Sequence, residues 1–213
     1  KPEKEGITTV FENAFAISSE NFAKSNKLRN LAVGKKIVVA SDNNSKKEIK
    51  ITQGKSQKEF NINNLRSNIV TIRIGQGHGS GFFVGNNGYL LTNAHVVGDS
   101  KSVQIITSSG MEIEGQVIRK SKSRDVSLIK VPLKITNSLY LKFQIPDIAS
   151  DVYAAGTPID EALKTTVTKG IISNIRVDNA SGLKFIQADA SISPGNSGGP
   201  LFDKFGNVIG ISV

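Results

Sequence analysis

The 213-residue sequence contains no cysteine and no tryptophan, only two histidines, and no uninterrupted run of 18 apolar residues. Without cysteine, a thiol nucleophile, thiolate metal centres, iron–sulfur clusters and disulfide bonds are excluded. Two histidines argue against a histidine-rich metal site, and the short apolar runs argue against a transmembrane helix. We therefore expect a chain with no metal, no cofactor and no transmembrane segment, whose core is stabilised by burial alone.

The net charge is +9, from 27 basic and 18 acidic residues, and the basic excess is spread along the whole chain. Proteins that bind nucleic acid usually concentrate basic residues on one face, often beside aromatic side chains that stack on bases. Aromatic residues make up only 6% of this sequence. The composition therefore predicts a basic, solvated surface and no nucleic-acid partner.

Residues 1–65 form a region of their own in the sequence pattern. Apolar residues at roughly helical spacing predict one helix within residues 1–30. Three short β-like runs follow at Lys36–Ala40, Glu48–Thr52 and Lys58–Ile62, and turn residues separate them. They predict a lysine-rich hairpin or a small extra sheet. Neither pattern carries chemistry, and roles in oligomerisation, tethering or inhibition all stay open.

From residue 66 onward, short strands alternate with turns. The predicted strands are Ile69–Ile74, Gly81–Val84, Tyr89–Thr92, Val103–Ile106, Glu112–Ile118, Val126–Val131, Asp151–Ala155, Thr165–Ile175, Lys184–Ala188, Gly199–Phe202 and Val208–Val213. Many short strands with few helical stretches predict an all-β protein. Two series of about six strands predict two six-stranded antiparallel β-barrels, one in residues 66–140 and one in residues 141–213, preceded by the N-terminal helix and small β extension.

Ser197 is the strongest candidate for a nucleophile. The glycines around it permit a tight turn that exposes the hydroxyl and leaves backbone N–H groups free to hold an oxyanion. The segment Gly195–Gly199 also fits the G-x-S-x-G pattern of α/β-hydrolases. Those enzymes place the acid and the histidine after the serine, however, and no histidine follows Ser197. The α/β-hydrolase interpretation is therefore rejected.

His95 and Asp125 precede Ser197 in the order His, Asp, Ser. His95 follows an apolar strand-like run, where its side chain would stand at a strand end. Asp125 opens the apolar run 126–129, where it could accept a hydrogen bond from the imidazole Nδ1–H and fix its tautomer. His78, by contrast, lies among glycines and is interpreted as solvated, as is the basic loop Arg119–Arg124.

Three blocks, Thr92–His95, Asp125–Ile129 and Gly195–Pro200, carry a family resemblance. In this order and spacing they resemble the catalytic blocks of trypsin-like serine proteases. Further matching sequence, at Gly79–Val84, Gly88–Val97, Thr165–Ser173 and Ile186–Ile192, makes the HtrA/Deg-like branch the nearer match. The resemblance covers residues 66–213 and leaves residues 1–65 unmatched.

The resemblance implies a chymotrypsin-like double barrel and a role for each site residue. Ser197 would attack the scissile carbonyl, His95 would act as general base and then acid, and Asp125 would orient His95. The N–H groups of Gly195 and Ser197 would form the oxyanion hole. The resemblance further implies a serine endopeptidase acting on unfolded or flexible proteins, in bacterial extracytoplasmic protein quality control, as a homotrimer.

Departures from digestive trypsins refine this expectation. Ser191 stands where trypsins have the aspartate that selects Arg or Lys, so Ser191, Ile192, Ser212 and Val213 predict a pocket for small or medium aliphatic residues. Asn196 replaces the aspartate that pairs with a newly cut N-terminus. We therefore expect no activation by cleavage before Ile69.

Three further points stay open in the sequence. Residues 209–213 resemble a strand that is followed in HtrA-like domains by another strand. The second barrel therefore has an open edge unless the chain is longer or another segment covers that edge. A protease fold used as a chaperone, sensor or scaffold with a latent site is the alternative function. An esterase or acyl-transfer enzyme using the same residues is a further one.

Overall fold

The computed structural model describes residues 6–10, 36–39, 49–52, 54–157, 165–179 and 183–213. In chain order its elements are β1 (Gly6–Val10), β2 (Lys36–Val39), β3 (Ile49–Thr52), α1 (Ile62–Ser67), β4 (Ile69–Ile74), β5 (Gly77–Gly85), β6 (Tyr89–Thr92), α2 (Ala94–Val97), β7 (Ser102–Ile106), β8 (Glu112–Ser121), β9 (Val126–Lys130), β10 (Asp151–Gly156), β11 (Thr166–Val177), β12 (Lys184–Ala188), β13 (Pro200–Asp203) and β14 (Val208–Ser212). None of the helices among these residues is long and apolar enough to cross a membrane.

Two closed antiparallel barrels of six strands each make up most of the fold, as the sequence predicts. The first barrel has the order β4-β5-β6-β9-β8-β7, and the second has the order β1-β12-β11-β10-β13-β14. Strands β4, β6 and β12 have the bounds expected from the sequence. The other strands of residues 66–213 differ from expectation by a few residues at their ends, mostly by being longer.

Three apolar clusters explain why the barrels form and how they meet. One fills the first barrel and includes Val70, Ile72 and Ile129. A second fills the second barrel and includes Ile186 and Leu201. The third draws buried residues from both barrels: Phe82, Leu91, Leu128, Ala155, Phe202 and Ile211. Because burial of each large aliphatic or aromatic side chain contributes about 1.5–3 kcal/mol, this shared cluster fixes the barrels against each other.

Strand β1 corrects two expectations. Residues 6–10, assigned to a helix from their spacing, form a strand, and the remainder of the predicted helix lies outside the described residues. The run Ile-Thr-Thr-Val consists of β-branched residues, which favour extended backbone. The edge expected to be open is also occupied, because β1 pairs with β12 on one side and with β14 on the other. A segment from the start of the sequence therefore completes the second barrel.

Residues 36–67 give a mixed outcome. Strands β2 and β3 form the expected two-stranded antiparallel sheet. The predicted strand Lys58–Ile62 is wrong, because this segment leads into helix α1. Asn61 caps that helix by accepting a hydrogen bond from the Asn64 N–H at 3.0 Å, an interaction that competes with strand formation.

Candidate active site

His95 and Asp125 are brought into direct contact on the first barrel. His95 lies in the short helix α2, directly after β6, and Asp125 ends the turn between β8 and β9. The His95 Nδ1 atom is 2.6 Å from Asp125 Oδ2, and the backbone N–H of His95 donates to Asp125 Oδ1 at 2.9 Å. Both carboxylate oxygens thus contact the same residue.

The backbone around Asp125 is unusual and is held in place. Asp125 has a φ of 50°, in the left-handed region that aspartate and asparagine tolerate better than most residues. The side chain of Asn93, which is fully buried, donates from Nδ2 to the Asp125 carbonyl at 3.0 Å. Asn93, at the β6–α2 junction, and His95, just after it, therefore both contact Asp125 and keep its carboxylate beside the imidazole.

This contact has a clear chemical consequence for the imidazole. A carboxylate can only accept hydrogen bonds, so it favours the tautomer of His95 that carries a proton on Nδ1. The other ring nitrogen, Nε2, is then an acceptor. The His95 side chain is 54% exposed, so this nitrogen can meet a solvent-borne reactant. The pair can serve as a general base with a fixed orientation.

Ser197 lies in a loop of the second barrel that we call the serine turn (Ser193–Gly199). Within it, Asn196 N–H donates to the Ser193 carbonyl at 3.0 Å, and Gly195 has a φ of 96°. Proline at the second position and a positive φ at the third define a type II turn, which requires glycine there. Neither the Gly195 nor the Ser197 N–H donates a hydrogen bond to another described residue. Two neighbouring donors are therefore free to bind an oxyanion.

Strand β5 of the first barrel joins the serine turn to helix α2. The N–H of Ser80 donates to the Ser197 carbonyl at 2.8 Å. A Cβ atom placed on Gly79 would lie 3.1 Å from that same carbonyl oxygen and 2.8 Å from Val96 Cγ2. Val96 directly follows His95 in α2. The Ser197 carbonyl and the Val96 side chain therefore lie on either side of Gly79, close to each other. The structure thus gathers the three predicted triad positions into one region between the barrels.

The predicted pocket residues flank the serine turn. Ser212 is fully buried at the end of β14, where its carbonyl accepts the Gly198 N–H at 2.9 Å and its N–H donates to the Gly199 carbonyl at 2.8 Å. Val213 follows and is half-buried. On the other side, Ser191 is exposed, and half-buried Ile192 packs against the core of the second barrel.

The acidic residue nearest to Ser191 in sequence is engaged elsewhere. The Asp189 carboxylate accepts the backbone N–H of Ile171 at 2.6 Å. The carbonyl of Ser191 itself accepts a hydrogen bond from the Thr168 hydroxyl at 2.8 Å. Asp189 Oδ1 thus faces strand β11, and Ser191 itself offers no charge to a basic substrate side chain.

A small ionic cluster borders the site on the first barrel. Hydrogen bonds from Lys122 and then Lys120 lower the pKa of Asp99, just after helix α2. Both lysines lie at the end of β8, close in sequence to Asp125, so the cluster connects the two segments that bear His95 and Asp125. The Asp99 carboxylate is exposed, so salt screens this attraction. Among the described residues, no group of three or more His, Asp or Glu side chains is placed to bind a metal ion.

Sequence reasoning gave no role to Ser80 and Thr157, which act between the barrels, or to Asn93, which holds Asp125 within the first barrel. Each is separated in sequence from the residue it contacts, so no local pattern reveals these contacts. The signals available were the resemblance blocks Gly79–Val84, which contains Ser80, and Thr92–His95, which contains Asn93. His78 is half-buried in β5 rather than solvated in a loop, and its Nε2 atom has no hydrogen-bond partner among the described residues.

Comparison with known proteins agrees with this geometry. Residues 79–211 match the family model of the trypsin-like peptidase domain, and the chain belongs to that family. A probable periplasmic serine endoprotease, DegP-like, of Pseudomonas fulva is 39% identical over 148 residues, which is 66% of this chain and 29% of that protein. The putative serine protease HhoA of Synechocystis is 38% identical over 153 residues, which is 64% of this chain and 36% of that protein.

A solved structure gives the same result. The crystal structure of the serine endoprotease from Yersinia pestis matches with a TM-score of 0.61 and 29% sequence identity, over 70% of this chain and 54% of that chain. The HtrA/Deg-like resemblance is therefore confirmed. The chain spans about a third of the length of these curated relatives.

Proposed function

We propose that this protein is a serine endopeptidase in which Ser197 is the nucleophile, His95 the general base and acid, and Asp125 the orienting carboxylate. The observation that carries the proposal is the 2.6 Å contact between His95 Nδ1 and Asp125 Oδ2, beside a turn that presents Ser197. The residue types, their chain order and the His95–Asp125 contact support a Ser-His-Asp triad.

The proposed chemistry is that of a Ser-His-Asp triad. Ser197 Oγ forms a bond to the scissile carbonyl carbon while its proton passes to His95 Nε2. The bond to the leaving nitrogen then breaks, and the same proton passes from Nε2 to the departing amine. Water repeats the sequence on the acyl-enzyme and releases the acid. Asp125 keeps its charge throughout and stabilises the imidazolium in each half-reaction.

The free N–H groups of Gly195 and Ser197 stabilise the negative charge that develops on the carbonyl oxygen. Loss of one such donor lowers kcat by about 10²–10³-fold in serine proteases. The positive φ of Gly195 supports a formed oxyanion hole, since a type I turn at this position would rotate the preceding peptide and its N–H.

The proposed substrates are unfolded or flexible protein segments, cleaved after small or medium aliphatic residues. An extended segment can reach a cleft and pair with exposed backbone, which a folded segment cannot do. The neutral Ser191 supports selection without charge. The periplasmic names of the relatives support an extracytoplasmic location, and assembly as a homotrimer stays a prediction from the resemblance.

Activation without cleavage before Ile69 also belongs to this proposal. Ile69 is buried and pairs with Phe82 in the first barrel, so releasing it as a new N-terminus would disrupt β4. Asn196 is buried and neutral and cannot form an ion pair with an amine. These observations support activity of the uncleaved chain, with Ile69 still inside strand β4.

A fluorophosphonate probe tests the proposed nucleophile. We expect covalent labelling of the wild type at Ser197, mapped by mass spectrometry, and none of Ser197→Ala. Ser109→Ala, at an exposed turn of the first barrel, is the matched control and is expected to label like the wild type. Equal labelling of Ser197→Ala would contradict the assignment. No labelling of the folded wild type would favour the chaperone, sensor or scaffold alternative.

A second measurement separates a peptidase from an esterase. The same acyl group is offered as a peptide amide and as an ester, and turnover of both is measured. Hydrolysis of casein or of an extended peptide amide, lost in Ser197→Ala, supports the endopeptidase. Turnover restricted to the ester would instead support the acyl-transfer alternative.

A further inference from the structure

Ser80 uses each of its polar atoms at the junction of the barrels. It lies in β5 of the first barrel, and its side chain is fully buried. Its N–H donates to the Ser197 carbonyl at 2.8 Å, and its hydroxyl donates to the Gly195 carbonyl at 2.6 Å. The same hydroxyl accepts the N–H of Thr157, just after β10, at 2.8 Å. Its carbonyl accepts a hydrogen bond from the Thr92 hydroxyl at 2.7 Å.

The two carbonyls held by Ser80 belong to the two residues whose N–H groups are free in the serine turn. A fixed carbonyl limits rotation about the ψ angle of its residue, and Gly195 would otherwise have more freedom than any other residue type. The N–H of the same Gly195–Asn196 peptide is held by the 3.0 Å bond that closes the Ser193–Asn196 turn. Because this peptide is held at both its C=O and its N–H, the turn that orients the Gly195 N–H is kept in one conformation.

We propose that Ser80 is a positioning residue for the oxyanion hole, which it aligns through the carbonyls of Gly195 and Ser197. The inference rests on the proposed function, because it assigns a role within the same reaction. Ser80 does not touch substrate. It acts through the serine turn and ties that turn to both Thr157 of the second barrel and Thr92 of the first.

A hydroxyl is suited to this position because it donates and accepts at once. Alanine at position 80 would leave the partly buried Gly195 carbonyl and Thr157 N–H without this partner. The backbone bond from residue 80 to the Ser197 carbonyl would remain. We therefore expect a loosened Gly195 peptide in an otherwise folded site, since the His95–Asp125 contact involves neither atom.

The test compares Ser80→Ala and Ser80→Cys with Ser138→Ala. Ser138 is an equally buried serine of the chain whose hydroxyl donates to Asn86 Oδ1 at 2.9 Å, away from the serine turn. We expect kcat of Ser80→Ala to fall about 10–100-fold with KM within about threefold, because a small displacement of an oxyanion donor acts mainly in the transition state. Ser80→Cys, a weak donor of similar size, should retain an intermediate kcat. Ser138→Ala should keep the wild-type kcat.

Two further readouts separate positioning from general loss of structure. The affinity for a peptide aldehyde, whose adduct places an oxyanion in the hole, should fall in Ser80→Ala in proportion to kcat/KM. The shape of the kcat–pH profile should stay that of the wild type, because His95 and Asp125 are unchanged. If Ser80→Ala does not fold, the same comparison is made with Ser80→Cys.

The outcomes distinguish this inference from the proposed function. Wild-type kcat in folded Ser80→Ala, or a change confined to KM, overturns the role of Ser80 and leaves the triad intact. An equal loss of kcat in Ser138→Ala also overturns it, because burial alone would then explain the effect. A wild type that hydrolyses no peptide, or activity that survives Ser197→Ala, overturns the proposed function and this inference with it.

Discussion

At the scale of single residues, Asp125 combines a strained backbone with two hydrogen bonds to one histidine. Asparagine at this position would tolerate the same positive φ, so we expect Asp125→Asn to fold normally. An amide, however, can place its NH₂ group against Nδ1 and stabilise the tautomer in which Nε2 is protonated. We expect kcat to fall about 10³–10⁴-fold, as is typical when this carboxylate is neutralised.

Peptide hydrolysis and the rate of fluorophosphonate labelling measure this effect. Asp99→Asn is the matched control, because Asp99 is an exposed aspartate near α2 whose carboxylate pairs with Lys120 and Lys122. It should retain nearly full activity. An Asp125→Asn variant as fast as Asp99→Asn would remove Asp125 from the proposed triad.

Gly198 allows a comparison between backbone strain and steric conflict. Gly198 and Gly110 have nearly equal φ values, 86° and 83°. A Cβ on Gly198 would lie 2.2 Å from the Ser80 carbonyl oxygen and 2.3 Å from Thr92 Oγ1, whereas nothing lies within 4 Å of one on Gly110. Gly110→Ala thus incurs only the strain of a left-handed residue, about 1–2 kcal/mol. Gly198→Ala incurs the same backbone strain, and its Cβ would in addition push the serine turn away from Ser80 and Thr92 of the first barrel.

Urea denaturation and labelling test the two glycine variants side by side. We expect Gly198→Ala to lose at least about 2 kcal/mol more stability than Gly110→Ala, together with most of its labelling by the fluorophosphonate. Equal stabilities of Gly198→Ala and Gly110→Ala would show that the serine turn shifts to accept a Cβ at little cost, contrary to the close contacts at Gly198. Gly110→Ala should label at the wild-type rate.

At the scale of elements, β1 is joined to the site through β14. Thr8 pairs with Ile186 on one side and with Ser212 on the other. Ser212 in turn exchanges hydrogen bonds with the serine turn. Proline at position 8 removes a backbone donor from a strand that has a partner on each side, which central strands do not tolerate. We therefore expect Thr8→Pro to destabilise the second barrel and slow labelling, and Thr8→Ala, which keeps the N–H, to do neither.

The chain offers a direct test of this pairing because it contains no cysteine. Thr9 is opposite Phe185 in the β1–β12 register, and paired Cα atoms in antiparallel strands lie within the range that a disulfide spans. The double variant Thr9→Cys with Phe185→Cys should cross-link on oxidation. Thr9→Cys with Lys184→Cys, one residue out of register, should not. Equal cross-linking of both pairs would contradict the register of β1.

At the scale of the whole molecule, those strands and site residues that a local sequence pattern marks can be predicted from the sequence. The strands of residues 66–213 have alternating or continuous apolar runs bounded by turns, and the triad blocks are short motifs. The place of β1 and the contacts of Ser80 with the serine turn depend on partners more than 100 residues away, which no window of sequence reveals. Residues 6–10 also lie among apolar residues at helical spacing, and a run this short fits both the helical period of about 3.6 residues and the strand period of about two. Its conformation is decided by the barrel edge that it pairs with.

The order of strands in the second barrel also bears on how the protein is made. Strand β1 is synthesised before the whole of the first barrel, whereas its two neighbours, β12 and β14, are synthesised after it. The first barrel is continuous in sequence and can form while β1 still has no partner, because pairing of distant segments is slow. Closure of the second barrel by β1 therefore has to wait until β14 has been synthesised. Since Ser212 lies in β14, the backbone support of the serine turn is completed only when these distant segments have paired.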